Sequence, residues 1–341
     1  MLTPARRRPR TVDVPPVSPD ELHRDQPDAH RTHVCDGDLV ARCSLWWTAG
    51  PSLPGERLGR IGHYYAADPA AGTALLHAAC DELARRGCTL ALGPMDGTTW
   101  RPYRLITDRG PEPPFFLELD HPEDWPAHYL GAGFTPQAHY LSALAPARPA
   151  ADERLERQRE HFARLGVTLR PVRLADWTHE LRAVHAVTHA AFARNYLFSP
   201  LDEAAFIAQY RAVRSFVEAA LFFLAEHAGR LVGFLFAVPD LLQARRGGPV
   251  DRLILKTLAV LPERPYLGLG SLLLGEAHVA AGRRGHRGVI HALMHESTLS
   301  LAASRYFEAQ VIRRYDLFGR RLACRAPCTR SDADGTGREV T

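Results

Sequence analysis

The sequence predicts an α/β (α+β) chain with two related units in tandem. Three observations carry this. Residues 253–283 read as a buried strand, a turn crowded with Pro and Gly, and an apolar helix; their flanks extend the order to hairpin, strand, loop, helix, strand, helix; and residues 30–145 read as a diverged second copy. At 341 residues and 46% hydrophobic, the chain exceeds one ordinary domain and can bury a core in each of two.

Residues 1–28 are rich in Pro, Arg and Asp and read as a flexible arm. Residues 29–146 form the first unit. Asp36-Gly37 is a turn between strand-like runs, ERLGRIGHYYAAD reads as a further strand, and TALLHAACDELARRG is an amphipathic helix ended by Gly87. CTLALGP is a short strand, and GPMDGTTWRPYRL after it is dense in hydrogen-bonding and aromatic groups. There Trp100 and Tyr103 read as core cover, with Arg101 and Arg104 the candidates for ligand contact. A linker helix falls within 147–168, with Leu155, Phe162 and Leu165 on its packing side.

The second unit, 169–323, opens with two helical segments separated at Ser199-Pro200. Two apolar runs joined at His227-Ala228-Gly229-Arg230 give a hairpin. The strand LILKTLAV follows, ended by Pro262, and then Gly268 and Gly270 precede a helix with Leu272, Leu273 and Leu274. GVIHALMH is the next strand, and TLSLAASRYFEAQ has helical spacing. Residues 324–341 read as a flexible tail.

A glycine turn between strand and helix suits an anion, because free N–H groups at a helix N-terminus point at it. A dinucleotide fold needs G-x-G-x-x-G, but Leu273 stands at the third glycine; a P-loop needs a lysine that is absent. The stretch instead resembles motif A of the GNAT acyltransferases, with the pattern Arg/Gln-x-x-Gly-x-Gly/Ala. Gly268-Leu269-Gly270 match it, while Pro265 takes the first position and Arg264 falls one residue early. The resemblance covers about residues 168–322.

It implies a mixed, mostly antiparallel sheet flanked by helices, and acetyl-CoA or another acyl-CoA as co-substrate. It implies coenzyme contacts from Leu258, Ala259, Val260, Tyr266, Leu267, Gly268, Leu269, Gly270 and Ser271. The thiolate acid would be Tyr306, whose helix in the family reads N-x-x-A-x-x-x-Y; here Thr298 replaces the Asn. Base candidates are His295, Glu296 and Glu226, His295 being favoured for its pKa near working pH and Glu296 also reading as a helix-start residue. On the acceptor wall the candidates are Asn195, Tyr196 and Arg211. In the first unit the matching turn, Asp68 to Ala74, has one glycine and an acid, so that copy reads as structural or substrate-covering.

The implied function is N-acylation, specifically N-acetylation, of a small-molecule amine by direct attack on the thioester. A Fem-like aminoacyl transferase and a noncatalytic coenzyme A-sensing or interaction protein are the alternatives. A formal charge of +4 without a basic, aromatic-interleaved stripe argues against nucleic acid partners. No apolar run approaches a membrane span and no signal peptide is visible, so a cytoplasmic monomer or homodimer is expected. The six cysteines lack CxxC spacing and read as reduced thiols, with no metal site. Lys256 is the only lysine and lies inside an apolar strand, as a ligand contact or as an edge position with its head in water.

Overall fold

The computed structural model describes residues 14–148, 150–296 and 299–323. The elements of the first half are α1 (Pro19–Asp25), β1 (Ala29–Cys35), β2 (Asp38–Trp46), β3 (Leu58–Ala66), α2 (Pro69–Arg85), β4 (Leu90–Gly93), β5 (Leu105–Asp108), α3 (Trp125–Gly131) and β6 (Thr135–Pro146). The linker helix α4 (Glu153–Arg164) leads to β7 (Val167–Pro171), α5 (Trp177–Phe192), α6 (Glu203–Arg211), β8 (Phe222–His227), β9 (Arg230–Pro239) and the short α7 (Leu241–Arg245). Then come β10 (Arg252–Val260), α8 (Leu269–Arg283), β11 (Gly288–His295), α9 (Leu299–Tyr306) and β12 (Gln310–Arg321).

The twelve described strands make one sheet, ordered β1-β2-β3-β4-β12-β6-β11-β10-β9-β8-β7, with β5 paired to β12 beside that path. Only β3 with β4 and β10 with β11 run parallel, and each of these pairs is bridged by a helix, α2 or α8. The mixed, mostly antiparallel sheet of the sequence reading is therefore the observed one.

The halves exchange their last strands. β6, from the first half, lies between β11 and β12 of the second; β12 in turn pairs with β4 and β5 of the first. The two halves thus become one continuous sheet, and side chains from both meet at its centre.

Residues 14–28 correct the sequence reading of a flexible arm. Ser18 and Glu21 form a reciprocal capping box that starts α1, and the Asp25 side chain is 1% exposed. Its carboxylate pairs with Arg101 at 2.8 Å and with His63 at 3.3 Å, while its carbonyl accepts from Trp46 Nε1. Composition hid a helix held by tertiary ion pairs. Residues 1–13 and 324–341, with Cys324 and Cys328, lie outside the described residues.

The apolar core of the second half packs α5 and α8 against β8–β11. In α8, Leu269 and Leu273 are fully buried, and burying each such side chain contributes about 1.5–3 kcal/mol. This anchors the glycine turn before the helix. No described helix is long and apolar enough to cross a membrane.

Candidate functional site

β10 and β11 pair only from Arg252↔Gly288 to Leu255↔His291. Beyond that point they part. Lys256 is an extra residue against β9, since Leu255 faces Ala237 and Thr257 faces Phe236. On β11 the register against β6 slips between His291 and Met294, with Leu293 at φ 58° and its N–H donating to Ser142 Oγ at 2.9 Å. Two bulges therefore bend the strands apart and leave the backbone of Lys256 to Val260 without a partner on the β11 side.

The gap leads to the N-terminus of α8. Gly268 is its N-cap at φ 90°, a left-handed conformation that glycine adopts freely, and no side chain caps the helix. A Cβ there would meet no atom within 4 Å, so the approach to the first amides is open. Leu258, Ala259 and Val260 line the end of β10; Leu267 is 74% exposed; Tyr266 is buried, its hydroxyl hydrogen-bonded with His227 Nδ1 at 2.9 Å. Open strands joined to an uncapped glycine helix start fit an extended thioester coenzyme with its diphosphate on the helix.

The first half lacks both features. Asp68 caps α2 itself, its carboxylate accepting from Ala71 N at 2.8 Å, so a side chain takes the place of an external anion. The gap after β3 and β4 is also closed. Met95 N donates to Ile61 O at 2.8 Å, Asp96 accepts from His63 N at 2.5 Å, and a Cβ on Gly62 would fall 2.3 Å from Met95 O. Burial pushes the Asp96 carboxyl up to about 6 despite the opposing pull of His63. Ser44, His63 and Asp25 are linked in a chain of hydrogen bonds here, but Ser44 is 0% exposed, which suits structure and not nucleophilic attack.

On the acceptor side of the open gap lies a cleft of about 310 Å3, lined by Gln137, Ala138, His139, Tyr196, His295 and Glu296. It joins β6 to β11 and to the turn after α5, so the strand exchange builds it. His295 stands opposite Tyr140 in the ladder and meets its ring edge-on at 4.9 Å. Burial, and secondarily the charge of Arg104, hold its imidazole below the ordinary value, which favours the neutral, proton-accepting form. Glu296, at the rim, pairs with Arg314 at 2.9 Å.

Of the acceptor-wall candidates, Tyr196 lines the cleft, Asn195 is exposed in the adjoining turn, and Arg211 is exposed at the end of α6. The first half reaches over this wall: Trp100 Nε1 donates to Ser199 O at 2.8 Å, and the indole packs edge-on against Phe198 and Phe206. Behind His295 the ring of Tyr140 carries the Arg104 guanidinium, which also lies over Tyr103. Arg104 and Lys256 carried a sequence signal, as a ligand-contact candidate and as the lone lysine; Gln137, His139 and Tyr140 carried none, because an exchanged strand supplies them.

Two catalytic candidates lie elsewhere. Glu226 is bound by Arg170 at 2.6 Å, and that contact holds its carboxyl below the usual range. A carboxylate so committed is a poor base, and β9 separates its strand from β10. Tyr306 donates its hydroxyl to Asp152 at the start of α4, with Arg154 4.0 Å and Arg148 5.1 Å from its ring. Burial first, then Asp152, raise its pKa. It lines a small recess between α8, α9 and α4 that also takes in Ser271, with Leu155 against Gly275 and Arg159 paired with Glu276. Thr298 of the same helix motif lies outside the described residues.

No group of three or more described His, Cys, Asp or Glu could hold a metal ion.

No family model matches the sequence, and no curated protein matches it. Solved structures do. The GCN5-related glucosamine N-acetyltransferase region of a fungal multi-domain GH3 β-N-acetylglucosaminidase aligns over 89% of this chain, at TM-score 0.52 and 12% identity. The match spans 35% of that longer chain. A GCN5-related N-acetyltransferase from Sphaerobacter thermophilus aligns at TM-score 0.48 and 16% identity, over 89% of this chain and 86% of its own. A tandem GNAT protein from the clavulanic acid biosynthesis pathway gives TM-score 0.47 and 14% identity, over 87% and 85%. The fold is that of the GCN5-related N-acetyltransferases.

Proposed function

We propose that the chain is an acyl-CoA-dependent N-acyltransferase, with acetyl-CoA as donor and a small-molecule amine as acceptor. The observation that supports it most is the pairing of two features in the second half alone: strands parted by opposed bulges, and an uncapped glycine helix start at the end of the gap. A thioester needs an extended slot and its diphosphate needs free amides. The amides of Leu269 and Gly270 would hold the diphosphate, and the backbone of Leu258 to Val260, open on the β11 side, would hold the thioester carbonyl and stabilise its oxygen as charge develops.

His295 would supply the proton chemistry. As the amine nitrogen bonds to the carbonyl carbon, neutral His295 takes its proton; as the C–S bond breaks, the imidazolium returns that proton to the thiolate. Such a shuttle leaves Tyr306 with its Asp152 partner. Incubation of the protein with acetyl-CoA and pools of primary amines tests the reading. Amine-dependent release of free thiol with an N-acetylated product is expected; the absence of both coenzyme binding and product would overturn it.

A further inference from the structure

Behind the cleft, whose rim carries Glu296 paired to Arg314, lie two cations, Arg104 and Lys256. Arg104 is held at φ 73°, a left-handed conformation unfavourable for a residue with a Cβ, and its guanidinium lies 4.1 Å from the Tyr103 ring centre and 4.3 Å from that of Tyr140. Lys256, the only lysine of the chain, is half-buried at the β10 bulge, where the charge of Arg104 acts on it. Among the described residues neither makes an ion pair or a side-chain hydrogen bond, and Nη1 of Arg104 is buried without a partner. The acid behind this cluster is already committed: Glu118, 0% exposed, takes Arg313 at 2.9 Å and the hydroxyl of Tyr315.

Two like charges in a partly desolvated wall repel each other and lose hydration, which folding alone does not repay. An incoming anion reverses the sign of both effects. A guanidinium presents a flat fork that matches a carboxylate, and a neighbouring ammonium adds a point charge. Tyr140 touches both Arg104 and His295, so an anion at the pair lies one ring away from the proposed base.

We propose that Arg104 and Lys256 form the receptor for a carboxylate on the acceptor, so that the substrate class is an amino-carboxylate. This rests on the transferase reading for the role of the amine. The pair belongs to the acceptor side: one cation comes from the first half of the chain and one from the second, so the site is complete only in the exchanged sheet.

Two measurements test it, on the full chain. With acetyl-CoA as donor, glycine, β-alanine, 4-aminobutyrate and L-glutamate are each compared with the matching carboxamide. The best carboxylate should exceed its amide by about tenfold or more in kcat/KM, the cost of leaving polar groups of the site unpaired. Arg104→Gln should abolish that preference without weakening acetyl-CoA binding. Lys256→Arg should retain it, because the charge survives, and Lys256→Met should lose it. Equal losses on acids and amides in both Lys256 variants would mean that the amine acts as a base, and would overturn the proposal.

The second measurement does not depend on turnover. With ε-15N-lysine incorporated, the chain gives one side-chain ammonium signal, which is titrated with acetate, succinate and inorganic phosphate. Saturable movement with the carboxylates, lost in Arg104→Gln, supports the receptor even if no amine is acetylated. Movement with phosphate alone would replace carboxylate by phosphate in the substrate class and overturn the proposal as stated. No movement with any of the three overturns it even if acetyl transfer is found.

Discussion

Gly268→Asp would give α8 the self-capped start that Asp68 gives α2, and its cost can be worked from the structure. A Cβ at position 268 meets nothing within 4 Å, so no steric term arises. The φ of 90° is the only backbone penalty, about 1–2 kcal/mol for a residue other than glycine. The binding penalty is larger. Two unit charges 4 Å apart near a protein surface interact by about 4 kcal/mol. Halving that for the open setting leaves about 2 kcal/mol, or roughly 30-fold in Kd. Gly268→Asn carries the same backbone strain without the charge and serves as reference. Calorimetry with acetyl-CoA should show one site per chain, unchanged in stoichiometry by Asp68→Gly and weakened about 30-fold in Gly268→Asp relative to Gly268→Asn. Equal affinity in the Asp and Asn variants would refute the anion cradle.

Tyr306→Phe should cost about 0.5–1.5 kcal/mol of stability, the net range for a hydrogen bond whose partner Asp152 is 40% exposed, with turnover nearly unchanged; a tenfold or larger fall in turnover would restore the hydroxyl to the proton transfer. Lys256→Met should raise the melting temperature at neutral pH. Burial, aided by Arg104, lowers the folded ammonium to about 8 from 10.5, so the folded state binds fewer protons and pays the full penalty below about pH 8. The gain should fade as pH rises from about 8 towards 10.5, and a gain independent of pH would contradict it. Deletion through residue 27 should lower the melting temperature, because Arg101 and His63 lose the Asp25 carboxylate; an unchanged melting curve would show that α1 contributes nothing.

The elements of the second half were legible because each carries a local signal: the His227-Ala228-Gly229-Arg230 turn, Pro262 after β10, and Gly268 before α8. Gly268 was legible for a second reason, since only glycine takes its φ without strain. The strand exchange was not legible. β6 is buried almost continuously from Tyr140 to Ala145, so no local pattern selects β11 and β12 of the second half as its two neighbours. That choice also assembles the cleft, which is why Arg104 and Lys256 could be noted singly but not as a pair. α1 does carry a local signal, the Ser18-Pro19-Asp20-Glu21 capping box, which a reading of composition alone passes over. Tyr306 stood at the expected place in its helix, but the linker helix brings Asp152 to it, a contact 154 residues apart in sequence that no motif encodes.

The most direct measurement is a crystal structure of the full chain grown with acetyl-CoA. One coenzyme per chain is expected, its diphosphate on the amides of Leu269 and Gly270, its thioester between β10 and β11 facing the His295 cleft, and the start of α2 bare. Coenzyme bound away from that gap, or held equally at both helix starts, would contradict it.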